Sequence, residues 1–107
     1  MGKNKFRDFK RKVKFFIQRW IRGFDDSELW NLDCTIAQFI LPRLRVFKEF
    51  NDGHPSNITM EEWNTILDTM IFSFENIEAE PNFDNELEYK IQHGLYLFAH
   101  YFGNLWL

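Results

Sequence analysis

A chain of 107 residues, 45% apolar and 19% aromatic, is long enough for one folded domain and too short for two, and its aromatic content excludes a disordered polypeptide. Its single cysteine, Cys34, rules out an internal disulfide and a zinc site built from cysteines. The longest uninterrupted apolar run, residues 95–99, is far shorter than the ~20 residues that a membrane span requires.

The net charge of −3 is unevenly distributed along the chain. Residues 1–22 contain nine of the thirteen lysines and arginines and a single acid, whereas residues 23–107 contain four basic and fifteen acidic side chains. Opposite charges attract within the ~10 Å screening length of moderate salt. We therefore expect the basic segment to lie against its own acidic body, against a neighbouring copy or on an external anion, and the sequence leaves these three open.

Residues 5–22 have the pattern of a basic amphipathic helix that ends at Gly23. Its apolar positions fall within a ~100° arc of the helical wheel; they are Phe6, Phe9, Val13, Phe16, Ile17 and Trp20. Phe15 instead shares a face with cations such as Arg11 and Arg19. There it is covered by their alkyl stems, covered by another subunit, or available to stack on a ligand ring.

A second helical region is predicted over residues 25–51. Asp25 and Glu28 have the spacing of a capping box that starts it. Pro42 lacks an N–H and disfavours a helical residue before it. We therefore predict a kink or break there, between a helix that ends near residue 41 and a further helical stretch over residues 43–51.

One acid, Asp33, lies within the apolar arc of this second region. An ionised carboxylate in such a place is strongly destabilising unless it is paired and hydrogen-bonded. Arg22 and Arg43 are the nearest cations in sequence, so we expect one of them to reach it. An internal ion pair is favoured for Asp33 over a ligand-binding or proton-handling role.

Two further helices follow. Thr59 and Glu62 have the T-x-x-E spacing of a capping box, which predicts the start of a helix over residues 60–78. A turn over residues 80–84 precedes the last helix, over residues 84–102. Together these elements predict an all-α fold, a compact bundle of four to five helices with a kink or break at Pro42, in a single domain spanning residues 1–107.

The last helix has two unlike faces. Its expected core side contains Leu87, Ile91, Gly94, Leu95, Phe98 and Phe102, and its opposite side contains Tyr89, His93, Tyr96 and His100. Packing of the first side against the core of the domain does not explain why the opposite side contains four ring side chains. This aromatic side is therefore packed against another helix, used for self-association, or available as a groove for ligand rings. The two histidines are ~10 Å apart along the axis, too far to share a metal ion.

Motifs of common enzymes are absent from the sequence. It contains no glycine-rich phosphate loop, no H-E-x-x-H, no G-x-S-x-G and no spaced cluster of cysteine or histidine. We therefore predict that the protein is not an enzyme and uses no metal and no cofactor.

Parts of the chain resemble a largely uncharacterised group of small proteins encoded by bacteriophages. The resemblance covers residues 20–49 and 60–75, and its most specific parts are R-G-F-D-D-S at 22–27 with Trp30, L-D at 32–33 and I-L-P-R-L at 40–44. It implies a phage accessory protein that acts in the cytoplasm of the infected bacterial host, and it brings no catalytic residues.

The resemblance also draws attention to a polar set within this region: Arg22, Asp25, Asp26, Asp33, Arg43 and Lys48. The candidate ligand-binding residues are Arg22, Trp30, Arg43 and Lys48, with His93 and Tyr96 as a second candidate surface. The cations would bind phosphate while the indole stacks on a ring. The alternative is an internal ion-pair lattice that fixes helix register.

These patterns predict a non-enzymatic accessory protein that acts by binding, as a homo-oligomer. It would be a host-defence antagonist that sequesters a small anionic, nucleotide-like signal or blocks a host bacterial protein. The alternative is a protein that binds nucleic acid or an anionic membrane through its basic helix at residues 5–22.

Overall fold

The computed structural model describes residues 2–77 and 84–107, with side chains from residue 4 onward. In these ranges the chain forms four α-helices and no strand: α1 (Gly2–Arg22), α2 (Leu32–Phe50), α3 (Met60–Glu75) and α4 (Asn85–His100). Short 3₁₀ turns follow α1 and α4, at Asp26–Leu29 and Phe102–Asn104. The predicted all-α fold is confirmed. Among the described helices, none is both long and apolar enough to cross a bilayer.

The chain divides into two units, Met1–Thr35 and Ile36–Leu107, and the boundary lies within α2. We call them the N-terminal unit and the C-terminal unit. The single domain over residues 1–107 stays a prediction, and the predicted turn at residues 80–83 lies outside the described residues.

In the N-terminal unit, α1 ends where the sequence predicts. Gly23 adopts a φ of 85°, which favours glycine, and its N–H donates to the Arg19 carbonyl at 2.9 Å. The capping box is also present: Asp25 accepts from the Ser27 N–H at 2.9 Å, and its own N–H donates to the Glu28 carboxylate at 2.6 Å. This box begins a single 3₁₀ turn rather than the predicted long helix, so the prediction of a helix starting at residue 25 is wrong.

The helix α2 continues through Pro42, so of the two predicted alternatives the break is excluded. Ala37 and Leu44 lie on either side of the proline and are both buried in the core of the C-terminal unit. Their burial holds the helix on both sides of the residue that would interrupt it. In the turn before the proline, the Arg43 guanidinium donates to the Phe39 carbonyl at 2.8 Å.

The expected burial of Asp33 is wrong, because its side chain is exposed. It lies in the first turn of α2, where a carboxylate is favoured by the free N–H groups of the helix start. Its Oδ1 accepts from the Cys34 N–H at 2.9 Å. The cations expected to pair with it have other partners, since Arg22 pairs with Asp26 and Arg43 donates to Phe39.

The core of the C-terminal unit is centred on α3. Its buried apolar residues are Ala37, Leu44, Trp63, Leu67, Met70 and Phe74. Edge-to-face ring pairs extend it, with centroids 5.4 Å apart for Trp63 and Tyr101 and 5.0 Å apart for Phe74 and Phe98. The predicted capping box at Thr59 is confirmed, since its hydroxyl accepts from the Glu62 N–H at 3.1 Å. The helix α3 begins at the next residue, Met60, as predicted.

A close approach of α3 and α4 occurs at Gly94. Ser73 is fully buried there, and its hydroxyl donates to the Ile91 carbonyl at 2.8 Å. A Cβ atom on Gly94 would lie 1.8 Å from the Ser73 hydroxyl oxygen and 2.5 Å from the Thr69 carbonyl oxygen. The second of these atoms belongs to the backbone, so a rotation of the Ser73 side chain does not relieve the clash.

We therefore expect Gly94→Ala to destabilise the fold by about 1–3 kcal/mol, because the helices must separate to admit the methyl group. Thermal unfolding followed by circular dichroism measures the effect as a lowered Tm. Gly53→Ala is the matched control, since nothing lies within 4 Å of a Cβ placed there. Equal Tm values for the two variants would contradict the close contact.

Candidate functional site

The apolar face of α1 is open. We call it the apolar stripe, and it consists of the predicted residues Phe6, Phe9, Val13, Phe16, Ile17 and Trp20. Each retains between 41% and 83% of its accessible surface, with Trp20 the most exposed. A large contiguous apolar patch of this kind on a protein surface marks a site of interaction.

Lysines border the apolar stripe on both sides. At ~100° per residue, Lys5 and Lys12 lie along one edge, and Lys10 and Lys14 lie along the other. The Lys10 ammonium nitrogen is 4.6 Å from the centroid of the Phe6 ring, so the cation lies directly at the apolar border. Within the described residues, Lys14 is the only one of these four in an ion pair.

On the opposite, polar face of α1, the turn that follows the helix forms ion pairs with arginines that stay exposed. Asp25 pairs with Arg19 at 2.5 Å, and Asp26 pairs with Arg22 at 2.5 Å. The Gln18 amide makes two bonds with Asp26: its nitrogen donates to the carboxylate at 2.8 Å, and its oxygen accepts from the Asp26 N–H at 2.9 Å. The turn thus pairs with cations of α1 and leaves the apolar stripe exposed.

These contacts lower the pKa of both turn aspartates. For Asp26, the hydrogen bond from Gln18 acts first and that from Arg22 second, and together they lower its pKa from 3.8 to about 2. For Asp25, the hydrogen bond from the Ser27 hydroxyl lowers the pKa most, followed by that from Arg19, against the opposing effect of desolvation. Both carboxylates are therefore ionised throughout the physiological pH range.

Above this turn lies a cleft of about 450 Å³, which we call the Trp30 cleft. It is lined by Lys10, Arg11, Lys14, Phe15, Asp26 and Trp30. Phe15 and Trp30 meet edge to face with ring centroids 5.8 Å apart, and the Arg11 guanidinium carbon is 6.0 Å from the Trp30 ring centroid. Phe15, the ring that the sequence placed among cations, is thus half-buried against Trp30 rather than free.

The predicted ligand-binding residues divide between the two units. Arg22 and Trp30 belong to the N-terminal unit, where Trp30 lines the cleft and Arg22 does not. Arg22 is engaged with Asp26 and lies 4.3 Å from the Phe24 ring centroid. Sequence reasoning missed Lys10 and Lys14, because at ~100° per residue they lie about 100–140° from Phe15 on the wheel, towards the apolar stripe.

The other predicted residues belong to the C-terminal unit. The Arg43 guanidinium lies 3.8 Å from the Phe39 ring centroid, and Lys48 pairs with Asp68 at 2.5 Å. His93 lines a groove of about 400 Å³ between α3 and α4, and Tyr96 stacks on His100 with centroids 5.8 Å apart. Arg43 and Lys48 thus have partners within their own unit, and the partner of Lys48, Asp68, lies outside the polar set singled out in the sequence.

The aromatic side of α4 is exposed. Tyr89 and Tyr96 retain 74% and 62% of their surface, so no other described element sandwiches this helix face. In the part of the chain that the structure describes, no three histidine, cysteine or acidic side chains are arranged to hold a metal ion.

The chain matches no protein-family model, and comparison with curated proteins and with solved structures finds no similar protein. The resemblance to small bacteriophage proteins therefore stays a prediction.

The lowered pKa of Asp26 gives a pH dependence with a definite sign. Since its pKa is lower in the folded state, its ionised form stabilises the turn above about pH 4, and this contribution is lost as the pH falls towards 2. Carboxyl-carbon NMR should give a midpoint of about 2 for Asp26. In Gln18→Ala the midpoint should rise, because the largest cause of the shift is removed.

Gln92→Ala is the matched control, because that amide bonds to Glu88 at 3.1 Å in the other unit. It should leave the Asp26 midpoint unchanged. A midpoint in Gln18→Ala equal to that of the unaltered protein would show that the amide does not hold the carboxylate.

Proposed function

We propose that the protein binds the surface of anionic membranes through α1, which lies in the plane of the interface. The supporting observation is that the turn pairs with Arg19 and Arg22 on the polar face of α1, whereas the apolar side chains of the stripe stay exposed. A helix of 21 residues is about 30 Å long, and its apolar face would be buried among lipid headgroups and acyl chains while the opposite face stays in water.

The border lysines suit this arrangement. A lysine beside an apolar face can lay its methylene stem along the hydrocarbon boundary while its ammonium group reaches the lipid phosphates. Attraction to an anionic leaflet contributes about 1 kcal/mol per cation near the surface. Since Arg19 and Arg22 are neutralised by the turn, the attraction comes mainly from Lys5, Lys10 and Lys12.

The same geometry disfavours the nucleic-acid alternative. A phosphate backbone is bound by cations that point directly at it. A duplex bound along the cations of α1 would leave the six apolar side chains of the stripe in water. A partner protein that wraps α1 on all sides in a hydrophobic groove is disfavoured too. The turn already contacts the polar side of α1, where Gln18 bonds to Asp26.

The hypothesis of a phage host-defence antagonist remains a proposal, and it concerns the biological role of the protein rather than the surface that it uses. A phage accessory protein that acts at the membrane of the infected bacterium would fit both this hypothesis and the membrane-binding proposal. Its oligomeric state and its host partner stay predictions.

Vesicle sedimentation tests the proposal. The protein should pellet with vesicles of mixed phosphatidylserine and phosphatidylcholine and stay in the supernatant with pure phosphatidylcholine. Trp20→Ala should weaken binding by about 1–2 kcal/mol, roughly tenfold, because it removes the most exposed ring of the apolar stripe. Because 83% of the Trp20 surface is exposed, its removal takes away little packing, and the variant should keep its helical circular dichroism.

Trp106→Ala is the matched control, since that indole is 73% exposed and lies in the other unit. It should bind vesicles as the unaltered protein does. Lys12→Gln should weaken binding mainly at low salt. Failure to pellet with anionic vesicles, accompanied by retardation of duplex DNA in a gel, would replace the proposal with the nucleic-acid alternative.

A further inference from the structure

The Trp30 cleft has the features of a ligand site on the side of α1 opposite the apolar stripe. It is an open depression of about 450 Å³, so a ligand bound there would keep part of its surface in water. One wall is aromatic, formed by Trp30 against Phe15, and the other is cationic, formed by Lys10, Arg11 and Lys14. We propose that this cleft binds a water-soluble nucleoside phosphate, with its base on Trp30 and its phosphates on the three cations.

The aromatic wall is both supported and available. Phe15 is half-buried and meets Trp30 at an interplanar angle of 71°, which fixes the tilt of the indole by an edge contact. Trp30 nevertheless retains 64% of its accessible surface. A supported indole with an open face is a stacking platform for a nucleobase, and it accepts any base because every base has a π-face.

The cationic wall has unused hydrogen-bond donors. Lys10 and Arg11 form no ion pair within the described residues. Lys14 is 3.5 Å from Asp26, a long contact for a group with three donors. The one acid in the cleft, Asp26, is satisfied more closely by Arg22 at 2.5 Å and Gln18 at 2.8 Å. Its charge is thereby compensated, and the cleft keeps a net positive character.

Two alternatives fit the cleft less well. A lipid headgroup stacked on Trp30 and bound by Arg11 would lie on the side of α1 away from the apolar stripe, while its acyl chains would have to enter the bilayer on the stripe side. A simple anion such as phosphate would use the cations and leave the indole without a partner. The combination of ring and charge therefore favours a ligand that has both.

Isothermal titration calorimetry with the full chain in solution, without vesicles, tests this site. The probes are the four common nucleoside triphosphates, with adenosine as a ring without phosphate and tripolyphosphate as phosphate without a ring. We expect at least one nucleotide to bind with a Kd below about 1 mM, and adenosine and tripolyphosphate to bind at least tenfold more weakly. Because the assay contains no lipid, its outcome is independent of membrane binding.

Two variants locate the site. Trp30→Ala and Arg11→Gln should each weaken nucleotide binding at least fivefold, whereas Trp106→Ala should leave it unchanged. Arg11 is exposed and unpaired by acids, so its variant remains informative if Trp30→Ala disturbs the turn. The proposal is overturned if no nucleotide binds, if tripolyphosphate binds as tightly as the nucleotides, or if binding survives both cleft variants.

Discussion

The pairing of the turn aspartates with one face of α1 is the interaction on which the N-terminal unit depends. Asp26 accepts a hydrogen bond from Gln18 and forms ion pairs with Arg22 and Lys14. Asp25 forms an ion pair with Arg19. An exposed ion pair contributes little alone, but a carboxylate held by several donors within one short turn has a fixed orientation. This network decides which side of the helix is covered, and therefore which side is left for other molecules.

Leaving the apolar side of a helix exposed is the reverse of what a globular core does. In the C-terminal unit the apolar residues of α3 are buried, down to 0% exposure for Leu67 and Met70. In the N-terminal unit the largest apolar side chains face solvent. The same hydrophobic effect operates on both, so the apolar stripe of α1 retains a free energy that burial in a second phase would release. In our proposal an anionic bilayer surface would supply that phase, and its charge would match the flanking lysines.

The two proposals assign opposite sides of one helix to different molecules. The apolar stripe would face lipid, while the Trp30 cleft would face water and remain accessible to a soluble ligand. Lys10 and Lys14 border both surfaces. Phosphates bound in the cleft would reduce the positive charge along one edge of the stripe, so the two binding events would be coupled and, by linkage, reciprocally so.

Local rules determined most of the secondary structure. The capping boxes at Asp25 and Thr59 and the stop at Gly23 depend on side chains within a few residues, so spacing along the sequence predicted them correctly. Periodicity likewise identified the apolar face of α1. These features depend only on residues that are close together in the sequence, so they can be read from the sequence without the tertiary structure.

Only the tertiary structure decided which faces are covered. Periodicity shows that a face is apolar but not whether another element packs on it, so it did not predict the exposed stripe or the contact of Phe15 with Trp30. Propensity predicted a kink or break at Pro42, and the break is excluded, because Ala37 and Leu44 are buried on both sides of the proline and α2 continues through it. In each case contacts between distant residues outweighed the local preference, and such contacts are not encoded in spacing along the chain.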